Sequence, residues 1–385
     1  MDFHLTSEQL AVRSMVHEFA ETEIAPIADA IDAEHRFPEE TVKKMAELGL
    51  LGMIVPEELG GAGLDYVAYA VAIEELARVC ASHAVIVSVN NSLLCYPVMT
   101  FANDEQKRRF LVPAARGEML GAYCLTEPNA GSNAANLETV AARDGNDYVL
   151  NGTKLFVTNA GPASLLLAYT VTDRSKGTRG ISAFLIEADR PGVQKGAKER
   201  KMGLHASDTR EIAFVDCRVP AANLLGQEGQ GYKIALDTLA GGRIGIAAQA
   251  VGIAQASLEA AQRYANERVQ FGKPIGEFAA VQDMLADMAT QTEAARLLTF
   301  RAACLKDQGR PHALESSVAK LYASETATHC ADCAVQIHGG YGYLADYKVE
   351  RFYRDAKVCE IYEGTSEIQK MVIALNVLKQ FEGAA

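Results

Sequence analysis

The chain has 385 residues, 49% of them hydrophobic, which is enough apolar content to close the cores of about two or three globular domains. Its 49 acidic side chains outnumber 37 basic ones for a net charge of −12, excluding a general polyanion binder, because phosphate backbones demand clustered Lys and Arg. Eight scattered cysteines lack the density of a secreted disulfide framework and predict reduced thiols.

The opening MDFHLTSEQL has no charged n-region ahead of an apolar core, and no window reaches the roughly 18 uninterrupted apolar residues of a membrane span. A cytoplasmic location without a membrane span is the expectation. Thr6 to Gln9 fits a capping box, followed by Val12, Val16 and Phe19 at helical spacing until Pro26. Further helical patterns lie near 39–50, 65–80 and 104–112. The loop PEELGGAGL between them reads equally as turn chemistry or as a functional loop.

From about 119 the pattern changes. DYVLNGTKLFVTN carries an Asn151-Gly152 turn signal between strand-like runs, SLLLAYTV is a short apolar run, and ISAFLIE and REIAFVD alternate with period two. An antiparallel sheet or small barrel ending near NLLGQEGQGY follows. Beyond it, helical patterns return at about 230–267 and 312–337. Between these, Val281, Met284, Leu285, Met288, Ala295 and Leu298 form the buried stripe of another long helix, completing a bundle. The predicted organisation is mainly α with a β middle domain: residues 1–118 helical, 119–226 β and 227–385 a helical bundle.

Several stretches have residues suited to chemistry. In YCLTEPNAGSNAAN the small residues around Thr126, Gly131 and Ser132 would expose backbone N–H groups to phosphate oxygens or heteroaromatic edges, or form an ordinary loop. Arg268 in ERVQFGKPI is placed to pair a phosphate, or to be solvated at a helix end. In QIHGGYGY one glycine serves as a C-cap and the second suggests a ligand against bare backbone; His338 there has no metal-ligand partner at a telling spacing. Cys330 and Cys333 form a CxxC beside His329, but no second ligand pair lies nearby, so packing on a helix outranks a metal. Glu363 in EIYEGTSEIQ stands next to a glycine, a setting that lets a carboxylate be aimed instead of solvated.

Taken together, YCLTEPNAGS, KLFVTNAG, GGRIGIA, RVQFGKPI, QIHGGYGY and VERFYRDAKVCEIYEGTSEIQ resemble the acyl-CoA dehydrogenase family, in the same order and over essentially the whole chain. The resemblance implies an N-terminal helical domain, a β-barrel-like middle domain and a C-terminal four-helix bundle. It further implies bound FAD, a homotetramer, and α,β-dehydrogenation of an acyl-CoA thioester with electrons passed to an electron-transferring flavoprotein.

By motif, Glu363 matches the catalytic base that takes the α-proton while hydride leaves the β-carbon for flavin N5. Burial against an apolar chain and the flavin would raise its pKa toward that of a useful base. Some members place the base immediately before the arginine that is Arg243 here; that position is Gly242. Tyr123, Leu125, Thr126, Gly131, Ser132, Phe156, Val157 and Thr158 match the flavin-binding segments, with Phe156 where tryptophan is frequent. Arg268, Phe271, Gln336, Gly339 and Gly340 match positions that reach the FAD of a neighbouring subunit, and Thr365 and Glu367 its adenosine side.

Ser132, Arg243, Tyr362 and Gly364 match acyl-CoA contacts. Ala240 replaces a frequent aspartate and Asn129 a frequent glycine. The motifs look most like short-chain and short-branched-chain members, and Ala84 stands where glutaryl-specific members carry an arginine, which argues against a dicarboxylyl substrate. The competing expectations are a flavin oxidase of the same fold that uses oxygen, and a non-catalytic acyl-CoA-binding flavoprotein.

Overall fold

The computed structural model describes residues 4–382. The N-terminal helix Ser7–Phe19 starts as its sequence predicts. The Thr6 hydroxyl accepts from the Gln9 N–H and the Gln9 amide oxygen accepts from the Thr6 N–H, satisfying two donors the helix leaves open. Val12, Val16 and Phe19 are buried along one stripe. PEELGGAGL is held by its own turns: Gly61 N–H donates to Pro56 O, Gly63 N–H to Val55 O and Leu64 N–H to Met53 O. Turn chemistry accounts for that loop. Tyr66–Val79 and Ala81–Ser88 follow, buried on nearly every side.

Eight strands make the middle sheet: β1 Gly121–Cys124, β2 Val140–Asp144, β3 Asp147–Thr158, β4 Leu165–Val171, β5 Ile181–Glu187, β6 Val193–Lys198, β7 Thr209–Pro220 and β8 Leu224–Leu225. Their order is β6-β7-β3-β2-β4-β5-β8. The expected antiparallel pairing holds for most of the sheet, but β1 joins β4 in parallel, Gly121 opposite Leu165.

The expected turn at Asn151-Gly152 is absent, because β3 runs straight through it. The hairpin turns instead between Asp144 and Asp147, and Gly152 sits at a bulge with φ 146, its register slipping against β7. The Asn151 amide is used sideways, accepting from Asp216 N–H.

ISAFLIE differs too. Its residues from Ile181 to Ile186 are all buried, since β5 lies between two cores. Ile181, Ala183 and Leu185 face Leu94, Val98 and Phe110 of the helical region, whereas Phe184 and Ile186 face Ile212 and Phe214 inside the sheet domain.

The C-terminal region is built on Gly231–Glu267, Ala279–Asp307 and Ala313–His338, with Val349–Ala356 and Ser366–Glu382 packed beside them. On the second of these, Met288, Thr292, Ala295, Thr299 and Ala302 are buried, while the expected Val281, Met284, Leu285 and Leu298 are half-buried. Two helical stretches, Ala81–Phe101 and Gly231–Glu267, are long and apolar enough to cross a membrane by length and composition. In each, 78% of the apolar window is buried inside the fold, so neighbouring helices already use those faces. Cys330 and Cys333 pack along the Ala313–His338 helix. Of the eight thiols only Cys304 is exposed.

Candidate active site

Glu363 sits between the short turn ending at Glu360 and the helix Ser366–Glu382. Its φ is 52 and that of Gly364 is 97, two successive left-handed residues. For a glutamate that conformation costs energy and is held only by its surroundings. Gln369 Nε2 donates to both Glu363 O and Gly364 O, and Lys320 Nζ donates to Gly364 O at 2.7 Å.

The side chain turns toward Gly242 on the Gly231–Glu267 helix. A Cβ there would collide with Glu363 Oε2 and press on Leu93, so glycine at 242 is what leaves room for the carboxylate. Oε2 is sealed from solvent and has no hydrogen-bond partner. Burial pushes the Glu363 pKa up to about 7, against the opposing charges of Lys320 and Arg243. A carboxyl poised there is matched to proton transfer near neutrality.

Arg243 is buried, donating to Ser317 Oγ at 3.1 Å while its Nε has no partner. The Tyr362 hydroxyl donates to Gln249, which is fully buried. Glu363, Arg243, Tyr362 and Gly364 therefore lie around one pocket, while Ser132 is exposed on the loop after β1. Lys320, Gln249 and Gln369 escaped notice. Lys320 did have a signal: Ser316, Ala319, Lys320, Ala323 and Ala327 recur at the spacing of a buried helix stripe, and a lysine inside such a stripe demands a partner.

The loop after β1 lies on the adjoining side. Tyr123 is half-buried, its ring 5.1 Å from that of Tyr169 and its hydroxyl unpartnered; Leu125 is buried. A fully buried Lys154–Glu127 pair at 2.6 Å anchors the loop, and Glu127 accepts from Thr139 N–H. Beyond that anchor Gly131 and Ser132 are free of packing, and a Cβ at Gly131 would meet nothing. Phe156 is 63% exposed with φ 55, Val157 is buried, and Thr158 is half-buried. An unpartnered phenol, an open glycine loop and an exposed aromatic face suit a large heteroaromatic group carrying phosphates, so the residues present fit a flavin dinucleotide.

Arg268, Gly339 and Gly340 meet elsewhere, in an open depression of about 460 Å³ with Tyr264 and His338. Arg268 lies over the Tyr341 ring at 5.4 Å, and His338 is a structural residue, stacked on Tyr264 at 4.2 Å. Gln336 is exposed on the last turn of its helix. Phe271 is 93% exposed with φ 52 at the tip of a two-stranded ribbon. Thr365 Oγ1 accepts from Ile368 N–H, capping the last helix, and Glu367 is exposed in its first turn.

Family models describe the chain along nearly all its length: acyl-CoA dehydrogenase N-terminal domain over residues 6–118, middle domain over 122–217 and C-terminal domain over 229–378. The short-chain specific acyl-CoA dehydrogenase of Rattus norvegicus mitochondria is 52% identical over 96% of this chain and 90% of its own length. The short-chain specific acyl-CoA dehydrogenase of Clostridium acetobutylicum is 49% identical over 98% of this chain and all of its own.

Among solved structures, butyryl-CoA dehydrogenase from Megasphaera elsdenii superimposes with a TM-score of 0.97 at 45% identity, covering 98% of this chain and 100% of that one. A chain from the structure of the electron transferring flavoprotein of Acidaminococcus fermentans gives 0.97 at 46% identity, with the same coverage. An acyl-CoA dehydrogenase complexed with FAD from Bacillus anthracis gives 0.93 at 35% identity, covering 99% of this chain and 68% of that one. The three matched domains, the identity along the whole length and the shared architecture show that the chain belongs to the acyl-CoA dehydrogenase family, flavin-dependent oxidoreductases acting on acyl-CoA.

Proposed function

We propose that this protein is an FAD-dependent short-chain acyl-CoA dehydrogenase that oxidises a saturated thioester to the trans-2-enoyl-CoA and passes the electrons to an electron-transferring flavoprotein. The observation that carries this reading is the Glu363 carboxyl: aimed inward, unpartnered at Oε2 and poised near neutrality. In this reading it removes the α-proton of the thioester. Its own backbone N–H, brought within reach by the turn at Gly364, helps hold the thioester carbonyl where negative charge develops.

Tyr123, Leu125, Thr126, Gly131, Ser132, Phe156, Val157 and Thr158 would hold FAD, which supplies the hydride acceptor when bound. Arg268, Phe271, Gln336, Gly339 and Gly340, with Thr365 and Glu367, would serve the cofactor of a second copy, so a homotetramer is part of the proposal. Ser132, Arg243, Tyr362 and Gly364 would hold the acyl-CoA. A short acyl group is the reading that the relatives' names favour.

Anaerobic addition of butyryl-CoA is expected to bleach the yellow protein, and an electron-transferring flavoprotein is expected to restore the colour far faster than air. Fast restoration by air would favour the oxidase reading, and no bleaching would favour a non-catalytic flavoprotein. A panel of C3 to C12 thioesters with isobutyryl, isovaleryl and 2-methylbutyryl members would then fix the acyl preference.

A further inference from the structure

Lys320 is 0% exposed, and its ammonium donates to one group, the Gly364 carbonyl at 2.7 Å. That carbonyl already accepts from Gln369 Nε2 at 2.9 Å. A neutral donor therefore meets its need without burying a charge, which is costly unless the charge serves a partner. Cys359 lies nearby as a neutral thiol pushed up to about 12 by burial, and Glu360 is engaged with Lys357 and Thr328. The group left for the charge to act upon is Glu363.

We propose that Lys320 is a positioning residue for the base: its ammonium pins the left-handed turn at Gly364 and favours the ionised carboxylate of Glu363 through the space between them. The groups facing Glu363 from the surrounding elements are Lys320, Arg243, Tyr69, Tyr123 and Tyr362. Burial pushes all three phenols up, so they are neutral, and Lys320 and Arg243 are the two cations. Lys320 is itself pulled down by burial to about 8, so it is mostly charged at neutral pH. Arg243 donates to Ser317 Oγ, whereas Lys320 meets the turn that holds the base, at the Gly364 carbonyl.

The test uses flavin-loaded wild type, Lys320→Met and Lys320→Gln. Glu363 is titrated by carboxyl-stretch infrared difference spectra against Glu363→Gln, beside kcat and KM for butyryl-CoA across pH. Loss of the charge is expected to move the Glu363 titration and the acid limb upward by about one pH unit in both variants. In Lys320→Gln turnover at pH 7 would fall about fivefold while KM stays within about twofold, because the fraction of ionised base falls while a donor to the Gly364 carbonyl is kept. Lys320→Gln keeps a donor and nearly the volume, so it decides the matter if Lys320→Met does not fold.

A titration unmoved in the folded variants would overturn the proposal and leave Lys320 a residue of packing. The proposal rests on Glu363 being the base, and the two fail separately. If Glu363→Gln keeps turnover, the base assignment falls while the infrared titration still reads the effect of Lys320. If Glu363→Gln is dead and the titration does not move, the lysine proposal alone falls.

Discussion

The pocket around Glu363 and the surface around Gly340 are opposite kinds of site. The first is closed largely within one chain: its carboxyl oxygen Oε2 is sealed, the Glu363–Gly364 backbone is gripped by Gln369 and Lys320, and a Cβ at Gly242 already has no space. The second is unfinished. Phe271 stands 93% exposed, and at Gly339 and Gly340 an added Cβ would touch nothing in the chain. Bare glycine backbone beside exposed aromatics is open surface, which the proposed function assigns to the cofactor of a second copy. The proposed chemistry would thus be an internal property and the proposed cofactor hold a shared one, so perturbing either region should produce a different failure.

The largest expected effect is at the sealed site. Glu363→Gln should keep its yellow colour and lose about 10²- to 10⁴-fold in turnover with butyryl-CoA, the contribution typical of a positioned base. Gly242→Ala comes next. Its methyl group would displace the Glu363 carboxyl, and kcat should fall on the order of 10²-fold with flavin content unchanged, as for a catalytic group shifted by about 1 Å.

Gly340→Val should do the reverse. With nothing in its own chain to strike, the variant should fold with wild-type circular dichroism, yet retain flavin about tenfold less tightly and sediment partly as smaller species. If it keeps both flavin and assembly, the outer surface is not shared.

A further effect is on stability. The folded-state pKa of Glu363 lies near 7, above the ordinary 4.5, so the neutral form is the one the fold favours. Its stabilisation is fully present below about pH 4.5 and is lost as pH rises through 7. Glu363→Gln cannot ionise, so it should be more stable than wild type at pH 8, by about 3 kcal/mol in denaturant titration, with the difference vanishing near pH 4.5.

How much of this was legible in the residues follows the range of the interactions. Caps and helix stripes are local, and Thr6–Gln9 and the Gly231–Glu267 helix could be read directly. Strand partners are not local. Asn151-Gly152 has the local chemistry of a turn, yet pairing with β7 pulls it straight and converts the glycine into a bulge. ISAFLIE alternates, but whether the second face meets water or another core depends on helices far along the chain. In the site, IYEGT and GGRIG marked Glu363 and Arg243, whereas Lys320 reaches Gly364 across 44 residues and shows only as a charge on a buried stripe.

The distribution of sulfur has a practical consequence. With seven thiols buried, Cys304 is a single ready-made attachment point for a fluorophore. Its pKa is raised by desolvation and by Asp307 and Asp65, so maleimide coupling would want mildly alkaline buffer and patience. One dye per polypeptide, in a mixture of donor- and acceptor-labelled protein, would turn the question of how many copies assemble into a distance measurement.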